Sequence, residues 1–184
     1  MKIVLLDDDK ETYEVLQEVA KLSGSEIIYF NDLKEAKEFI KNAENIDGIV
    51  AEKRVGGLPT WDILSYLKKT NKVSEIPFIV LSKDLAPEEK EFFEYMGVTA
   101  ILEKPFNPLE VFLDIVEHLR KHKGDDYVKA KLSAEEEILK KKLQEKEGQA
   151  TATQSSNIDE GKKVGLITVL ERFIDFFKKI LGKR

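Results

Sequence analysis

Short apolar runs alternate with amphipathic stretches over about the first 120 residues of the chain. The runs show no polar alternation, which is typical of strands that are buried on both faces. The stretches between them repeat apolar residues at helical spacing, as in Val15, Leu16 and Val19. This alternation predicts an α/β fold, a doubly wound five-stranded parallel sheet with helices on both faces. The predicted strands lie at residues 3–6, 26–30, 47–52, 76–82 and 98–102.

Polar side chains occur at the ends of four of these strands. Asp7 and Asp8 follow the first strand, Glu52 ends the third, Ser82 ends the fourth and Lys104 follows the fifth. In a flavodoxin-like strand order 2-1-3-4-5 those four strands are neighbours, and their carboxyl ends meet where ligands collect in open α/β sheets. The pattern therefore predicts three carboxylates, a hydroxyl and an ammonium in one shallow pocket. Taken alone, Glu52 would be an ordinary solvated carboxylate, so the hypothesis depends on its neighbours.

With these residues in this order, residues 1–123 resemble a CheY-like response-regulator receiver domain. The resemblance implies that Asp7 and Asp8 form the acidic pair that holds Mg²⁺ and that Ser82 is the switch hydroxyl. It also implies that Lys104 and Pro105 are the lysine of that family and the cis-peptide that follows it. Each motif is weak alone, but together they are specific, and they cover about two thirds of the chain.

Several positions depart from the family pattern. Glu52 stands where the family has its phosphoacceptor aspartate, and Gly57 fits the glycine that lies five residues further on. The extra methylene moves the carboxylate outward by about 1.5 Å, and in-line transfer is sensitive to such a displacement. Lys83 replaces a small residue after the switch hydroxyl, and Ile101 occupies the position of the aromatic switch residue. We therefore expect a pseudo-receiver that is not phosphorylated and is not an enzyme, with Lys83 and Arg54 covering the pocket.

Electrostatics requires a cation beside the three carboxylates. Two carboxylates about 4 Å apart repel by about 4 kcal/mol at an effective dielectric constant near 20. Lys104 supplies one positive charge, and either Mg²⁺ or one of the covering cations supplies another. Mg²⁺ bound by Asp7, Asp8 and Glu52 is one alternative, and direct contact of Glu52 with Lys104, which needs no metal, is the other. Glu52 is expected either to mimic phosphoaspartate or to hold the domain in an unphosphorylated-like form.

The pattern changes in the last third of the chain. A charged helix is predicted at 124–148, where Ser133 and Glu136 form a capping box. Residues 149–163 are polar and of low complexity, which is typical of a flexible linker. An amphipathic helix is predicted at 164–184. Its wide apolar face includes Leu166, Leu170, Phe173, Ile174, Phe176, Phe177 and Ile180.

Charge and composition limit the kinds of partner and the location that we expect for the chain. The net charge is −5. Residues 1–123 hold 17 Lys and Arg against 24 Asp and Glu, a net −7, which leaves +2 for residues 124–184. An acidic body argues against nucleic-acid binding. The chain has no cysteine and no apolar run long enough for a signal peptide or a membrane span, so we expect a cytoplasmic protein.

Three kinds of surface fit the apolar face of the amphipathic segment 164–184. Its basic ends suit the plane of an anionic membrane surface, which would make the protein peripheral to the inner face of the membrane. A partner groove or a homodimer would also cover the apolar face, and so would packing on the receiver-like body. His118 and His122 lie four residues apart on the predicted fifth helix and are expected to face solvent.

Three functional hypotheses follow from the sequence. The first is a non-enzymatic signalling adaptor that binds protein partners, by analogy through its fourth helix, fifth strand and fifth helix. The second is a phosphorylation-dependent response regulator that uses Mg²⁺ in its own phosphotransfer. The third is a scaffold in which the receiver-like body is a folding platform for the tail.

Overall fold

The computed structural model describes residues 1–132 of the 184-residue chain. The capping box at Ser133, the remainder of the predicted charged helix, the predicted linker at 149–163 and the predicted amphipathic helix at 164–184 lie outside the described residues.

The predicted alternation of strands and helices is present in the structure. Asp32 caps one helix by accepting hydrogen bonds from two backbone N–H groups, and Asn107 caps another by accepting one from the N–H of Leu109. Residues 125–132 are also helical. The elements are β1 Lys2–Leu6, α1 Lys10–Ser23, β2 Glu26–Phe30, α2 Leu33–Asn42, β3 Gly48–Glu52, β4 Arg54–Val55, β5 Leu58–Pro59, α3 Trp61–Lys69, β6 Phe78–Ser82, α4 Pro87–Met96, β7 Ala100–Glu103 and α5 Pro108–Lys123.

The main sheet has five parallel strands in the order β2-β1-β3-β6-β7. This confirms the predicted flavodoxin-like order 2-1-3-4-5, because β6 and β7 are the fourth and fifth predicted strands. The additional elements β4 and β5 form a short antiparallel hairpin. Gly56 and Gly57 both have positive φ, 58° and 75°, which is the backbone conformation of the two-residue turn that suits a tight hairpin.

Side chains alternate between two hydrophobic layers on either face of the sheet. On β1, Ile3 and Leu5 pack with α1 and α5, whereas Val4 and Leu6 pack with α2, α3 and α4. This division explains the lack of polar alternation in the strand sequences, because both faces of the sheet are covered.

The helical segment 125–132 packs against the layer of α1 and α5. Val128 and Leu132 are only 2% and 1% exposed and belong to that layer. Tyr127 and Lys131 reach the fully buried Asp47, to which the tyrosine hydroxyl donates at 2.8 Å and the lysine ammonium at 2.9 Å. The packed domain therefore extends at least to Leu132, beyond the predicted boundary at residue 123.

The buried carboxylate of Asp47 also accepts a hydrogen bond from the backbone N–H of Lys2 at 2.8 Å. Burial raises the pKa of Asp47, but the three hydrogen bonds from Lys2, Lys131 and Tyr127 lower it by more, so its pKa lies below the ordinary value. Asp47 thus stays ionised and joins β1, β3 and segment 125–132 at the amino edge of the sheet.

Candidate functional site

The carboxyl ends of β1, β3, β6 and β7 bring four of the predicted residues to one edge of the sheet. Asp7, Glu52, Ser82 and Lys104 each end or follow one of these neighbouring strands. The backbone N–H of Lys104 donates to the carbonyl oxygen of Ser82 at 2.8 Å, which fixes the end of β7 beside β6. The peptide bond between Lys104 and Pro105 is cis, as the resemblance implies.

Lys104 lies between two carboxylates. Its Nζ is 2.6 Å from Oδ2 of Asp7 and 3.0 Å from Oε2 of Glu52. The lysine and aspartate side chains are only 8% and 2% exposed. Burial lowers the pKa of Lys104, but the hydrogen bonds to Asp7 and Glu52 raise it by more, so the pKa lies above its ordinary value. The group is therefore a permanent ammonium that neutralises both acids.

The remaining oxygens of these two carboxylates accept hydrogen bonds from the backbone. Oδ1 of Asp7 accepts from the N–H of Asp9 at 2.8 Å, and Oε1 of Glu52 accepts from the N–H of Lys53 at 3.0 Å. Both oxygens of each bridged carboxylate therefore have a partner, which stabilises the charged form of the pair in a poorly solvated position.

Asp8 points away from the other two acids. Its two carboxylate oxygens each lie 3.0 Å from the backbone N–H of Gly56, in the turn of the β4–β5 hairpin. Within residues 1–132, no group of three or more His, Cys, Asp or Glu side chains is placed to hold a metal ion. Mg²⁺ requires oxygen ligands in near-octahedral geometry, and this arrangement does not fit it, because the Lys104 ammonium sits between Asp7 and Glu52.

The two predicted switch positions, Ser82 and Ile101, each contact their own surroundings. The Ser82 hydroxyl is 2% exposed and donates to the carbonyl oxygen of Asp84 at 2.9 Å. Ile101 is half-buried in β7 and packs with the layer of α2, α3 and α4. Its aliphatic side chain thus serves as core, and the hydroxyl is satisfied by its own loop.

Lys53 ties the loop after β6 to the end of β3. Its Nζ donates to the carbonyl oxygen of Asp84 at 2.6 Å, and it lies 3.3 Å from the carboxylate of Asp84 and 3.2 Å from that of Glu89. Since the Ser82 hydroxyl donates to the same carbonyl, this oxygen accepts from both strand ends. The loop is therefore held in place by side chains from β3 and β6.

The two predicted covering cations lie in different places. Lys83 is exposed and lines an open cavity of about 510 Å³ together with Lys104 and Pro105. Arg54 points toward the hairpin and α3, because its guanidinium donates to the carbonyl oxygen of Gly57 at 3.2 Å and lies 6.0 Å from the ring centre of Trp61. Lys104, rather than either of them, is the cation that contacts the two carboxylates.

His118 is half-buried at the opposite edge of the sheet, so the expectation that it faces solvent is wrong. Its Nε2 lies 3.0 Å from the carbonyl oxygen of Ser74, and its Nδ1 lies 3.2 Å from the hydroxyl of Thr99. A carbonyl only accepts, so Nε2 donates and Nδ1 accepts from Thr99 in the neutral ring. Burial lowers the pKa of His118, and the bond to Ser74 only partly opposes this, so the neutral form is favoured.

Known proteins share this architecture. The receiver domain of the Francisella response regulator 1452 is 27% identical, superposes with a TM-score of 0.57, and the match covers 65% of this chain and 97% of that domain. The regulatory protein VanRc of Enterococcus gallinarum is 27% identical over 135 residues, which are 73% of this chain and 57% of that protein. The described part of the chain has the receiver-domain fold. The sensory/regulatory protein RpfC of Xanthomonas campestris pv. campestris is 25% identical over 107 residues, or 57% of this chain and 15% of RpfC.

These matches cover between 57% and 73% of the chain. The chain spans between 15% and 57% of the length of the two curated relatives. No protein-family model matches the chain. Among the helices within residues 1–132, none is long and apolar enough to cross a membrane.

Two polar features of the described domain cannot be predicted from the sequence. Lys53 follows Glu52 directly, and this position at a strand end is the only sequence signal for its role. Asp47 precedes β3, and its partners Tyr127 and Lys131 come 80 and 84 residues later. Such long-range pairs leave no periodic pattern in the sequence, so only the three-dimensional structure reveals them.

Proposed function

We propose that this protein is a phosphorylation-independent signalling adaptor, in which a pseudo-receiver domain acts through protein–protein contacts in two-component signalling. The observation that carries the proposal is the contact of Lys104 with both Asp7 and Glu52. The names of the similar proteins, which are regulatory proteins and a response regulator, support the signalling context.

The contacts of Lys104 with Asp7 and Glu52 favour a pocket whose charges are neutralised without a phosphoryl group. The Glu52 side chain spans the distance to the Lys104 ammonium, and the four oxygens of Asp7 and Glu52 all accept hydrogen bonds. A phosphoryl group or Mg²⁺ would have to displace the ammonium and leave a poorly solvated charge without its partner, which typically costs about 3–5 kcal/mol. The extra methylene of Glu52 thus favours a closed pair over phosphotransfer.

The unphosphorylated-like form is the better description of this fixed state. Glu52 directs its charge to Lys104, while the Ser82 hydroxyl donates to the carbonyl oxygen of Asp84. A phosphoaspartate mimic would need to attract this hydroxyl, and a carboxylate carries only one negative charge against about two for a phosphoryl group. The loop that follows β6 is instead held by Lys53.

Partners are proposed to be proteins rather than nucleic acids, because residues 1–123 carry a net charge of −7. By analogy with receivers, the surface of α4, β7 and α5 is the proposed docking face. Residues 164–184 would add attachment to an anionic membrane surface or to the groove of a partner, which places the protein at the inner face of the membrane when that surface is lipid.

The test is phosphorylation by acetyl phosphate with Mg²⁺, followed by intact-mass measurement. We expect no adduct of about 80 Da, the mass of one phosphoryl group, on the wild-type protein. The matched variant Glu52→Asp shortens the side chain by one methylene and withdraws it from Lys104, so this variant is expected to gain the adduct.

An adduct that forms in high yield on wild-type Glu52 would contradict the proposal and favour a phosphorylation-dependent regulator. If neither protein is labelled, the extra methylene is not the only obstacle. Combining Glu52→Asp with Lys83→Ala then separates the effect of the longer acid from that of the lysine in the cavity beside Lys104.

A further inference from the structure

Two exposed aromatic side chains and one half-buried one, Trp61, lie where α3 and α4 are side by side. Trp61 and Phe92 make an edge-to-face contact with ring centres 5.4 Å apart. Tyr95 lies one turn further along α4 on the same side and is 77% exposed, while Phe92 is 39% exposed. Lys68 of α3 lies over the Tyr95 ring at 4.3 Å. We call Trp61, Phe92 and Tyr95 the aromatic patch.

The core accounts for part of Trp61, which is half-buried against the layer of α2, α3 and α4, but not for Phe92 and Tyr95. Phe93 is the α4 side chain that fills the core, at 1% exposure, whereas Phe92 and Tyr95 point outward. Exposed aromatic side chains that lie together, rather than scattered singly, are typical of interaction surfaces.

The α4 side of the aromatic patch is acidic, whereas Lys68 and Arg54 lie over the Tyr95 and Trp61 rings. Helix α4 carries four glutamates against one lysine. Glu89 forms an ion pair with Lys53, but Glu88, Glu91 and Glu94 are exposed. Glu88 and Glu91 share the side of α4 that carries the aromatic rings, since they precede Tyr95 by seven and four residues. A matching partner would therefore present apolar side chains flanked by positive charge.

Residues 162–184 of the same chain have this chemistry. They contain seven Lys and Arg against two Asp and Glu, and between the basic ends lies a broad apolar pattern that includes Phe173, Phe176 and Phe177. The positive net charge of residues 162–184 is opposite in sign to that of α4 and of residues 1–123. The polar residues of this segment and the α4 side of the aromatic patch are thus electrostatically complementary.

The intervening chain is long enough to reach the aromatic patch. Thirty-one residues separate Leu132 from Val164, which span up to about 100 Å when extended. Segment 125–132 lies near Asp47 at the amino edge of the sheet, and α4 ends at that same edge before β7. Such a tether holds its end at an effective concentration on the order of a millimolar.

We propose that the aromatic patch is the docking site for residues 164–184 of the same chain. The docked segment would cover Trp61, Phe92 and Tyr95 with its apolar face and set its basic ends against the glutamates of α4. Docking and attachment to a membrane or partner use the same apolar face, so each excludes the other. The inference does not depend on Glu52 or on phosphorylation, so it can fail while the proposed adaptor function stands.

Engineered disulfides test the docking in the full chain, which has no cysteine of its own. Tyr95→Cys is combined in turn with Phe173→Cys, Phe176→Cys and Ile180→Cys, which sample the apolar face at different heights. Under mild oxidation at about 10 µM protein, we expect at least one pair to close within the chain, because the tether exceeds this concentration by roughly a hundredfold. The matched control replaces Tyr95→Cys with Val15→Cys on α1, which is also exposed, at 44%. Its intrachain disulfide should form much more slowly, because the tether alone then brings the two cysteines together, and equal rates would contradict docking.

Two other results would overturn the proposal. One is the absence of an intrachain disulfide in all three pairs, and the other is the formation of disulfide-linked dimers instead, which would assign the aromatic patch to a second copy. Trp61 provides an independent readout, since it is the only tryptophan of the chain. Acrylamide quenching of its fluorescence should rise in a variant with Phe176→Ser and Phe177→Ser, and equal quenching of both proteins would also contradict docking.

Discussion

The ammonium of Lys104 contacts Asp7 at 2.6 Å and Glu52 at 3.0 Å in a position where water has little access. A buried ion pair gains little over a well-packed apolar pair, but removing one partner leaves an uncompensated charge. Lys104 is the shared partner of two acids, so its loss affects both at once. Glu52 is more exposed than Asp7, at 19% against 2%, so its own loss should cost less.

Replacing Lys104 with methionine should therefore destabilise the domain strongly. Lys104→Met keeps the length of the side chain but leaves two carboxylates without their cation, and we expect a loss of about 3–5 kcal/mol in the free energy of unfolding. Urea denaturation at neutral pH measures it. Lys83→Met is the matched control, since this neighbouring lysine is exposed and should change stability by less than about 0.5 kcal/mol.

The pH dependence of the same pair of proteins gives a second check on this prediction. Because the pKa of Lys104 is raised in the folded state, its contribution is fully present below the ordinary value of 10.5 and is lost as the pH rises through the folded-state pKa. The difference between wild type and Lys104→Met should therefore persist from neutral pH up to that value. Equal stability of Lys104→Met and Lys83→Met would contradict the assigned role.

The strands, helices and helix caps are the part of the fold that the sequence predicts well. Their apolar runs and helical periods are local, and so are the capping side chains of Asp32 and Asn107, which directly precede their helices. Of the strand-end residues, Asp7, Glu52 and Lys104 are in contact, because topology alone places the ends of neighbouring parallel strands at one edge. The β4–β5 hairpin was missed, since strands of two residues are too short to show a period.

Segment 125–132 shows why the rest could not be predicted. Half of its residues are charged, and Val128 and Leu132 are its buried core residues. Its position depends on Asp47, which precedes β3 and is remote in sequence. The three-dimensional placement of one buried carboxylate therefore holds this segment on the domain, and no local pattern carries that information.

The hydroxyl of Tyr127 should stabilise this junction. Tyr127→Phe removes one hydrogen bond to the buried, charged Asp47 and keeps the ring, so we expect a loss of about 1.5–3 kcal/mol, which is typical of hydrogen bonds to charged groups. Thermal or urea unfolding at neutral pH measures it. Tyr95→Phe is the matched control, because that tyrosine is 77% exposed.

Lowering the pH should reduce the difference in unfolding free energy between Tyr127→Phe and wild type. The pKa of Asp47 is lowered from 3.8 in the folded state, so its contribution is present above that value and is lost as the pH falls through the folded-state pKa. Tyr127 contributes to this lowering. A difference that grows below pH 3.8, or that is absent at neutral pH, would show that the hydroxyl does not stabilise the ionised carboxylate.

The whole chain divides into an acidic body and a more basic tail, −7 for residues 1–123 and +2 for residues 124–184. The basic charge is concentrated in residues 162–184, where seven Lys and Arg stand against two acids. An acidic body is repelled by anionic lipid, whereas each basic residue near such a surface contributes about 1 kcal/mol of attraction. Attachment to a membrane therefore requires the tail to act apart from the body, and docking on the aromatic patch would oppose this.

Co-sedimentation of the full chain with vesicles tests this balance. We expect binding to anionic vesicles and not to neutral ones, and weaker binding at high salt, where the Debye length falls to about 3 Å. The variant Phe92→Ser removes one ring of the aromatic patch and should bind anionic vesicles more tightly, because less of the tail is docked. Val15→Ser, an exposed apolar position on α1, should bind like wild type. Binding to neutral vesicles alone would rule out attraction by the basic ends, and equal binding of Phe92→Ser and wild type would show that the body does not compete for the tail.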